Sequence, residues 1–406
     1  MRPTSSGDAS QEEGTLKARR QSLTWSAKET ITKGKMDRFS AHLDRGWDLV
    51  QHGDSQGAEL SARRALELNK QAPEAYNLLG YAAALRGDFE AAIRHYNHAL
   101  SLDEGYFEAL LNAAEVFIHP LADYQEALEM CDRALELAET NDELVDALLL
   151  KFDALLGEDR MDDAKALCVR FPEGPFENPN HVFLVGRALY EVGDLDRAAP
   201  LIEQAVKATP GNSEAYYYLG LMRDEQGDRA RATQAFVRAR ALDLEAPVPE
   251  WSLSLDAFEH TVRKVVDALP PRLRQTIRPD EIYVADMPGI EFVIDGVDPR
   301  ALILLDDISP SSISAGSLSP NSLPPGSLSS SSLPPHALSA SAVRGSGLLQ
   351  GPSARLFVYQ RNLERLAGAL EAVETELSAA LERELSAVLE EQDLTDVSPN
   401  NSKLLN

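Results

Sequence analysis

The chain has 406 residues, 44% of them hydrophobic, which is enough for two domains with their own cores, since single cores stop growing near ~250 residues. Its formal charge of −26 and isoelectric point near 4.7 argue against nucleic acid and anionic lipid as partners, because both are recognised through clustered Lys and Arg. The chain carries no apolar run of the ~18 residues a spanning helix needs and no signal-peptide core, so a cytoplasmic location without membrane insertion is expected.

Residues 1–35 run against the overall charge, with seven basic and four acidic side chains that leave −29 on the remainder. They read as a basic tail, either disordered or upstream of the natural start. Met36 opens the first amphipathic pattern, MDRFSAHLDRGWDLV. From there a period of 34 residues governs the chain: Gly46, Gly80 and Ala114 are each 34 apart, as are Gly186 and Gly220. Ala58, Ala92, Ala198 and Ala232 keep step, followed by Ala65, Ala99, Ala205 and Ala239. Two helices that approach closely need a small residue where they cross. Gly-Asp at 87–88, 193–194 and 227–228 supplies a left-handed helix end and then an N-cap.

The clearest units are PEAYNLLGYAAALRGDFEAAIRHYNHALSLDE (73–104) and SEAYYYLGLMRDEQGDRARATQAFVRARALDLE (213–245). They resemble the tetratricopeptide repeat. Six units are counted over residues 36–246, starting near 39, 73, 107, 145, 179 and 213; the third has an extra residue near Pro120 and the fourth is degenerate. Each is a helix pair that buries its apolar face only by stacking on its neighbours, which predicts a mainly α, helical-hairpin solenoid. Cys131 and Cys168 fall where the repeats place a core side chain such as Tyr96, Ile202 or Phe236. They are expected to pack, not to react, and two cysteines make neither a disulfide framework nor a thiolate zinc site. His95 and His98 have no acidic or Cys partner in register and read as a solvated face, not as a metal pair.

The resemblance implies that first helices line a ligand face. The family's contact positions are held here by Glu74, Asn77 and Tyr81, by Glu108 and Glu115, by Phe183, Arg187, Tyr190 and Glu191, and by Glu214, Tyr217 and Asp224. Some relatives grip a C-terminal carboxylate with Lys, Asn and Arg at these places, whereas the matching residues here are mostly Glu or apolar. Acidic and aromatic side chains fit a basic or amphipathic partner protein or peptide, drawn in by charge and held by a few anchors. The alternative is that the acids only solvate helix faces.

After Pro247 and Pro249 the rhythm stops. LDAFEHTVRKVVDALPPRLRQTI (255–277) predicts a helix ended by Pro270-Pro271. Strand-like runs follow at 281–286, 301–307 and 355–362, with the turn-rich MPGIEFVIDGVDP between the first two. GALEAVETELSAALERELSAVLEEQD (368–393) then predicts a long helix with Leu370, Val373, Leu377, Leu381 and Val388 on one stripe. The phrases VVDALPPRLRQ and LFVYQRNLERLAG, in that element order over residues 253–395, resemble the small zincin-like metallopeptidase domains. That family's H-E-x-x-H needs two His ligands and a Glu to activate zinc-bound water. Aligned by this resemblance, the motif here reads Arg383-Glu384-Leu385-Ser386-Ala387. Glu384 matches the general base and Asp393 a downstream acid, but Arg383 and Ala387 replace the ligands, which implies no metal, no cofactor and a catalytically dead relative. An unrelated α+β domain is the alternative.

Residues 308–343 contain no Asp, Glu, Lys or Arg, and GSLSPNSLPP repeats as GSLSSSSLPP. The span 308–353 reads as a disordered insertion, its Ser-Pro steps either phosphorylated or inert, and 396–406 reads as a disordered tail. The function expected is that of a non-enzymatic scaffold or adaptor. The competing expectation is a zinc metallopeptidase with an atypical site whose repeats recruit substrate.

Overall fold

The structure, a computed structural model, describes residues 36–119, 121–306, 343–344 and 354–397. The basic tail at 1–35 and most of the Ser/Pro/Leu-rich insertion therefore lie outside the described residues. Two compact units divide the chain between Ala138 and Glu139.

The first unit is three helix hairpins: α1 (36–51) with α2 (Ser55–Leu68), α3 (Pro73–Leu85) with α4 (Phe89–Leu102), and α5 (Phe107–Ile118) with α6 (Tyr124–Leu137). Each second helix starts at an Asp whose carboxylate accepts a backbone N–H in the first turn: Asp54 from Gly57 at 2.8 Å, Asp88 from Ala91 at 3.1 Å and Asp123 from Glu126 at 3.5 Å. Gly87, before Asp88, takes φ 77° and closes α3, with its N–H donating to Ala84 and that of Asp88 to Ala83. The third hairpin spends five residues on this turn where the second spends three. The longer turn accommodates the additional residue near Pro120, with Ala122 in the left-handed region at φ 50°.

Close approach within a hairpin depends on small residues. A Cβ on Gly80 would stand 2.9 Å from the ring Cζ of Tyr96 and nearer still to two other ring carbons. Tyr96 is fully buried there, in the class of large side chains whose burial is worth about 1.5–3 kcal/mol.

The second unit continues with hairpins of the same design: α7 (Asn141–Gly157) with α8 (Met161–Leu167), α9 (Pro179–Glu191) with α10 (Leu195–Ala208), and α11 (Ser213–Glu225) with α12 (Arg229–Glu245). The degenerate unit is α7–α8. Its first helix begins at Asn141, ahead of position 145, because Thr140 and Glu143 form a capping box. Without Gly-Asp at its turn, Asp159 takes the left-handed conformation at φ 58° and Arg160 caps α8 with no side-chain bond. That helix is seven residues long and runs into a 3-10 turn at Cys168–Arg170. Cys131 and Cys168 are buried thiols outside any disulfide, and burial pushes the Cys168 thiol up to about 12.

Beyond α12 lies a small α+β segment: α13 (Leu255–Ala268), α14 (Pro271–Arg274), β1 (Ile277–Ala285), α15 (Ile290–Ile294), β2 (Ile303–Asp306), β3 (Val343–Arg344), β4 (Ala354–Tyr359), α16 (Gln360–Ala367) and α17 (Val373–Val397). The sheet order is β1-β4-β2-β3, with β4 parallel to β1 and antiparallel to β2. Pro279 sits where the β1 register shifts, on an edge strand, as its missing N–H requires. Phe258, Val262 and Val266 of α13 and Leu377, Leu381 and Leu385 of α17 bury the sheet residues Ile303, Leu305, Leu356 and Val358.

Several boundaries depart from the sequence reading. The run at 355–362 is a strand only to Tyr359, and from Gln360 it is helix. The stretch read as turns holds the short helix α15. Gly368, left-handed at φ 66°, ends α16, so the last helix starts at Val373 instead of 368; Leu370 falls in a 3-10 turn and is 42% exposed, outside the apolar stripe it was assigned to. Within the span read as a disordered insertion, Val343 and Arg344 pair in parallel with Leu305 and Asp306. Residues 396–397, read as tail, belong to α17.

Candidate partner-binding faces

In the first unit α1, α3 and α5 contribute side chains to a common face. The ring of Trp47 on α1 meets that of Tyr81 on α3 edge to face, 5.5 Å between centroids. One turn back along α3, Asn77 is buried and its Oδ1 accepts from Asn112 of α5 at 3.0 Å, while its Nδ2 lies 3.5 Å from the Tyr106 hydroxyl. Acids surround this core: Glu74 and Glu108 are exposed and Glu115 is half-buried. Burial raises the Glu115 carboxyl, and burial together with the Glu115 charge raises the Tyr81 phenol. The arrangement combines partly exposed aromatic edges, amide groups in fixed positions and negative charge. His98, behind this face, is exposed and edges against Tyr76 at 4.1 Å; among the described residues no His, Cys, Asp and Glu group of three could hold a metal.

The corresponding positions of the second unit are differently placed. Phe183, Arg187, Tyr190 and Tyr217 are all buried, so they do not stand open to a partner as the sequence reading placed them. The Arg187 guanidinium lies 3.9 Å from Asp153 on α7 and 3.6 Å from Glu191, and Tyr218 donates to Glu191 at 2.9 Å. Tyr190 donates to Glu225 at 2.7 Å. Asp224 remains partly exposed.

Glu214 and Tyr217 meet the chain's own C-terminal segment. The turn between α15 and β2 inserts Asp298 and Arg300, each 3% exposed. Tyr217 donates to Asp298 at 2.8 Å, and the Arg300 guanidinium pairs with Glu214 at 2.8 Å and with Asp243 of α12 at 3.1 Å. Arg365 of α16 reaches the same Asp243 carboxylate at 3.0 Å. Burial raises the Asp298 carboxyl against the lowering effect of its hydrogen bonds. Burial would also raise that of Asp243, but Arg300 and Arg365 outweigh it and hold it low. Arg361 caps the end of α12 by donating to the carbonyls of Leu244 at 3.0 Å and Ala246 at 3.1 Å. Glu364, buried on α16, accepts from Ser252 and Leu253 of the connecting segment. The α+β segment is thus bound to the last repeat by buried charge. Sequence reasoning found Glu214 and Tyr217 but missed Asp298, Arg300, Asp243 and Arg365; the only signal was the charged phrase GVDPR within a turn.

A second unforeseen cluster joins α7 to α9. His181 is 1% exposed, with Nδ1 2.6 Å from Asp142 and Nε2 2.8 Å from Asp146. Asp142 also accepts from the N–H of Glu177 at 2.9 Å. Burial lowers the imidazole, but the bonds and charges of Asp146 and Asp142 outweigh it and the net shift is upward.

At the proposed metallopeptidase positions, Arg383 and Ala387 are exposed on α17, whereas Glu384 is 5% exposed and 3.4 Å from the Arg383 Nε.

The fold is therefore a set of helical-hairpin repeats with a small C-terminal sheet, and the first-helix face of the first unit carries acidic and aromatic side chains. Family models of the tetratricopeptide repeat match residues 43–107, 109–145 and 184–247, so the hairpins within those spans are tetratricopeptide repeats. An Hsp70-Hsp90 organizing protein of Triticum aestivum is 44% identical over 57 residues, and Hsp70-Hsp90 organizing protein 1 of Arabidopsis thaliana is 40% identical over 58. The match spans 14% of this chain and only 10% of each relative. Among solved structures, Pseudomonas aeruginosa pilF is similar at 17% identity with a TM-score of 0.45, covering 52% of this chain and 93% of that one. YrrB, described as a tetratricopeptide repeat protein with an unusual peptide-binding site, is 23% identical with a TM-score of 0.35, covering 45% of this chain and 91% of its own. No helix among the described residues is long and apolar enough to cross a membrane.

Proposed function

We propose that this chain is a non-enzymatic cytoplasmic adaptor that holds a basic or amphipathic segment of another protein on the first-helix face of residues 36–138. The observation that carries the reading is the contrast between the two faces. Glu214 and Tyr217 are taken up in cis by Arg300 and Asp298, while Trp47, Tyr81 and Glu115 remain partly exposed. The plant relatives are by name organisers of Hsp70 and Hsp90; the role of bringing proteins together is what we carry over, not those partners.

The C-terminal segment we read as an inactive relative of the zincin-like metallopeptidases. In support, Arg383 places a permanent cation at a ligand position, beside the Glu384 carboxylate, and Ala387 has no ligating atom.

Affinity capture on the full chain, run in parallel with Tyr81→Ala/Glu115→Lys, tests the adaptor reading. Proteins retained by the parent and lost from the variant are expected to be basic. Equal retention by both would reject the assigned face.

A further inference from the structure

We propose that Glu74, Asp103 and Glu108 form a receptor for an arginine side chain of the partner, built on the plan that the chain itself fills with Arg300. This rests on the adaptor reading and names the chemical group it would recognise.

Two hairpins of the chain share one construction. In α3–α4 and α11–α12, separated by 140 positions, Gly80 and Gly220 face Tyr96 and Phe236, and a Cβ at either would lie 2.9 Å from the ring Cζ. Gly87 and Gly227 both have φ 77°. Asp88 and Asp228 cap the second helices, each accepting the N–H three residues on. Positions in one hairpin can therefore be transferred to the other: Glu214 corresponds to Glu74, Tyr217 to Asn77 and Asp243 to Asp103.

In α11–α12 this constellation holds a guanidinium. Arg300 lies between Glu214 and Asp243 with its Cζ 4.4 Å from the centre of the Tyr217 ring. In α3–α4 the two carboxylates recur, and Asn77 at the Tyr217 position directs its amide to the hydroxyl of a different tyrosine, Tyr106. Glu108 adds a third acid. Burial, then Glu108, Glu74 and Asp103, push the Tyr106 phenol up to about 12 despite the Asn77 bond. Asp103 closes α4, where Asp243 lies inside α12, and its Oδ1 also accepts from Gly105 at 3.0 Å, leaving the other oxygen to an incoming donor. Glu74, Asp103 and Glu108 are exposed, and among the described residues none has a cationic partner.

The chemistry selects arginine over lysine. A planar fork spans two carboxylates and lies flat against a phenol ring, whereas an ammonium is a strongly hydrated point charge.

The test uses the full chain and an amidated twelve-residue amphipathic peptide with three arginines on one helical face, compared by calorimetry with a twin in which all three are lysine. The arginine peptide is expected to bind more tightly than its lysine twin, and Glu74→Gln/Asp103→Asn to weaken it about tenfold. Both substitutions are at exposed positions, so folding is preserved, and circular dichroism checks this. Equal affinity for the two peptides, or an arginine peptide indifferent to the double variant, would overturn the receptor. So would absence of binding by both peptides. If the capture experiment with Tyr81→Ala/Glu115→Lys still succeeds in any of these cases, the adaptor reading stands without the receptor; if it fails, that reading falls on its own account.

Discussion

Arg300 lies with its guanidinium carbon 4.4 Å from the centre of the Tyr217 ring, and both side chains are 3% exposed. The same guanidinium neutralises Glu214 and Asp243. Removing one member of a buried ion cluster leaves its partners charged and desolvated, a cost of about 3–5 kcal/mol. Arg300→Ala should destabilise the 139–397 unit by roughly that amount, seen as a lower urea midpoint. Tyr217→Phe removes only the hydroxyl that donates to Asp298 and should cost about 1–3 kcal/mol. Equal midpoints for parent and Arg300→Ala would mean that the turn does not brace the last repeat.

The glycines at the helix crossings provide a second test. Gly80→Leu and Gly220→Leu would drive a branched side chain into Tyr96 and Phe236, with losses of about 1–3 kcal/mol or more from overpacking. Gly220→Leu combined with Phe236→Ala should recover part of the loss, because the ring that clashes is gone. Unchanged melting temperatures in both single variants would contradict the crossing geometry.

The His181 clamp predicts a dependence on pH. Both ring nitrogens face carboxylates, an arrangement that only the imidazolium satisfies with two donated bonds. Its folded pKa is raised above the ordinary 6.5, so the stability it contributes is complete below that value and is lost as pH rises through the folded value. Asp142 is shifted the other way, below 3.8: burial would raise it, but the bonds from Glu177, His181 and Asn178 together outweigh that. Its contribution is present above 3.8 and is lost as pH falls through the folded value. Urea midpoints should therefore decline from near-neutral to alkaline pH, and Asp146→Asn should lower the His181 titration followed by NMR. A titration unmoved by Asp146→Asn would exclude the clamp.

Zinc content tests the reading of α17. Purified protein should carry far less than one zinc per chain, because Arg383 and Ala387 provide no ligand. Arg383→His/Ala387→His restores two imidazoles one helical turn apart and should gain measurable zinc affinity if the metallopeptidase kinship is real. Stoichiometric zinc in the parent, with a peptidase activity lost on Glu384→Gln, would refute the inactive-relative reading.

The repeats were legible in the sequence because they are made of local interactions. A 34-residue period, small residues at the crossings and Gly-Asp at the turns each act within one hairpin, so Gly80 against Tyr96 and the cap at Asp88 follow from positions fewer than 20 residues apart. The amphipathic helix of α13 and its end at Pro270 were legible for the same reason. The fate of the second ligand face was not. Whether Tyr217 is open or covered depends on Asp298, 81 residues away, and His181 is held between Asp142 and Asp146, 39 and 35 residues away. Periodicity reports which side of a helix is apolar, not what arrives to cover its polar edge. The first pairing is decided when α15, the turn after it and α16 pack against α12, the second when α9 packs on α7, and only the tertiary structure carries those placements.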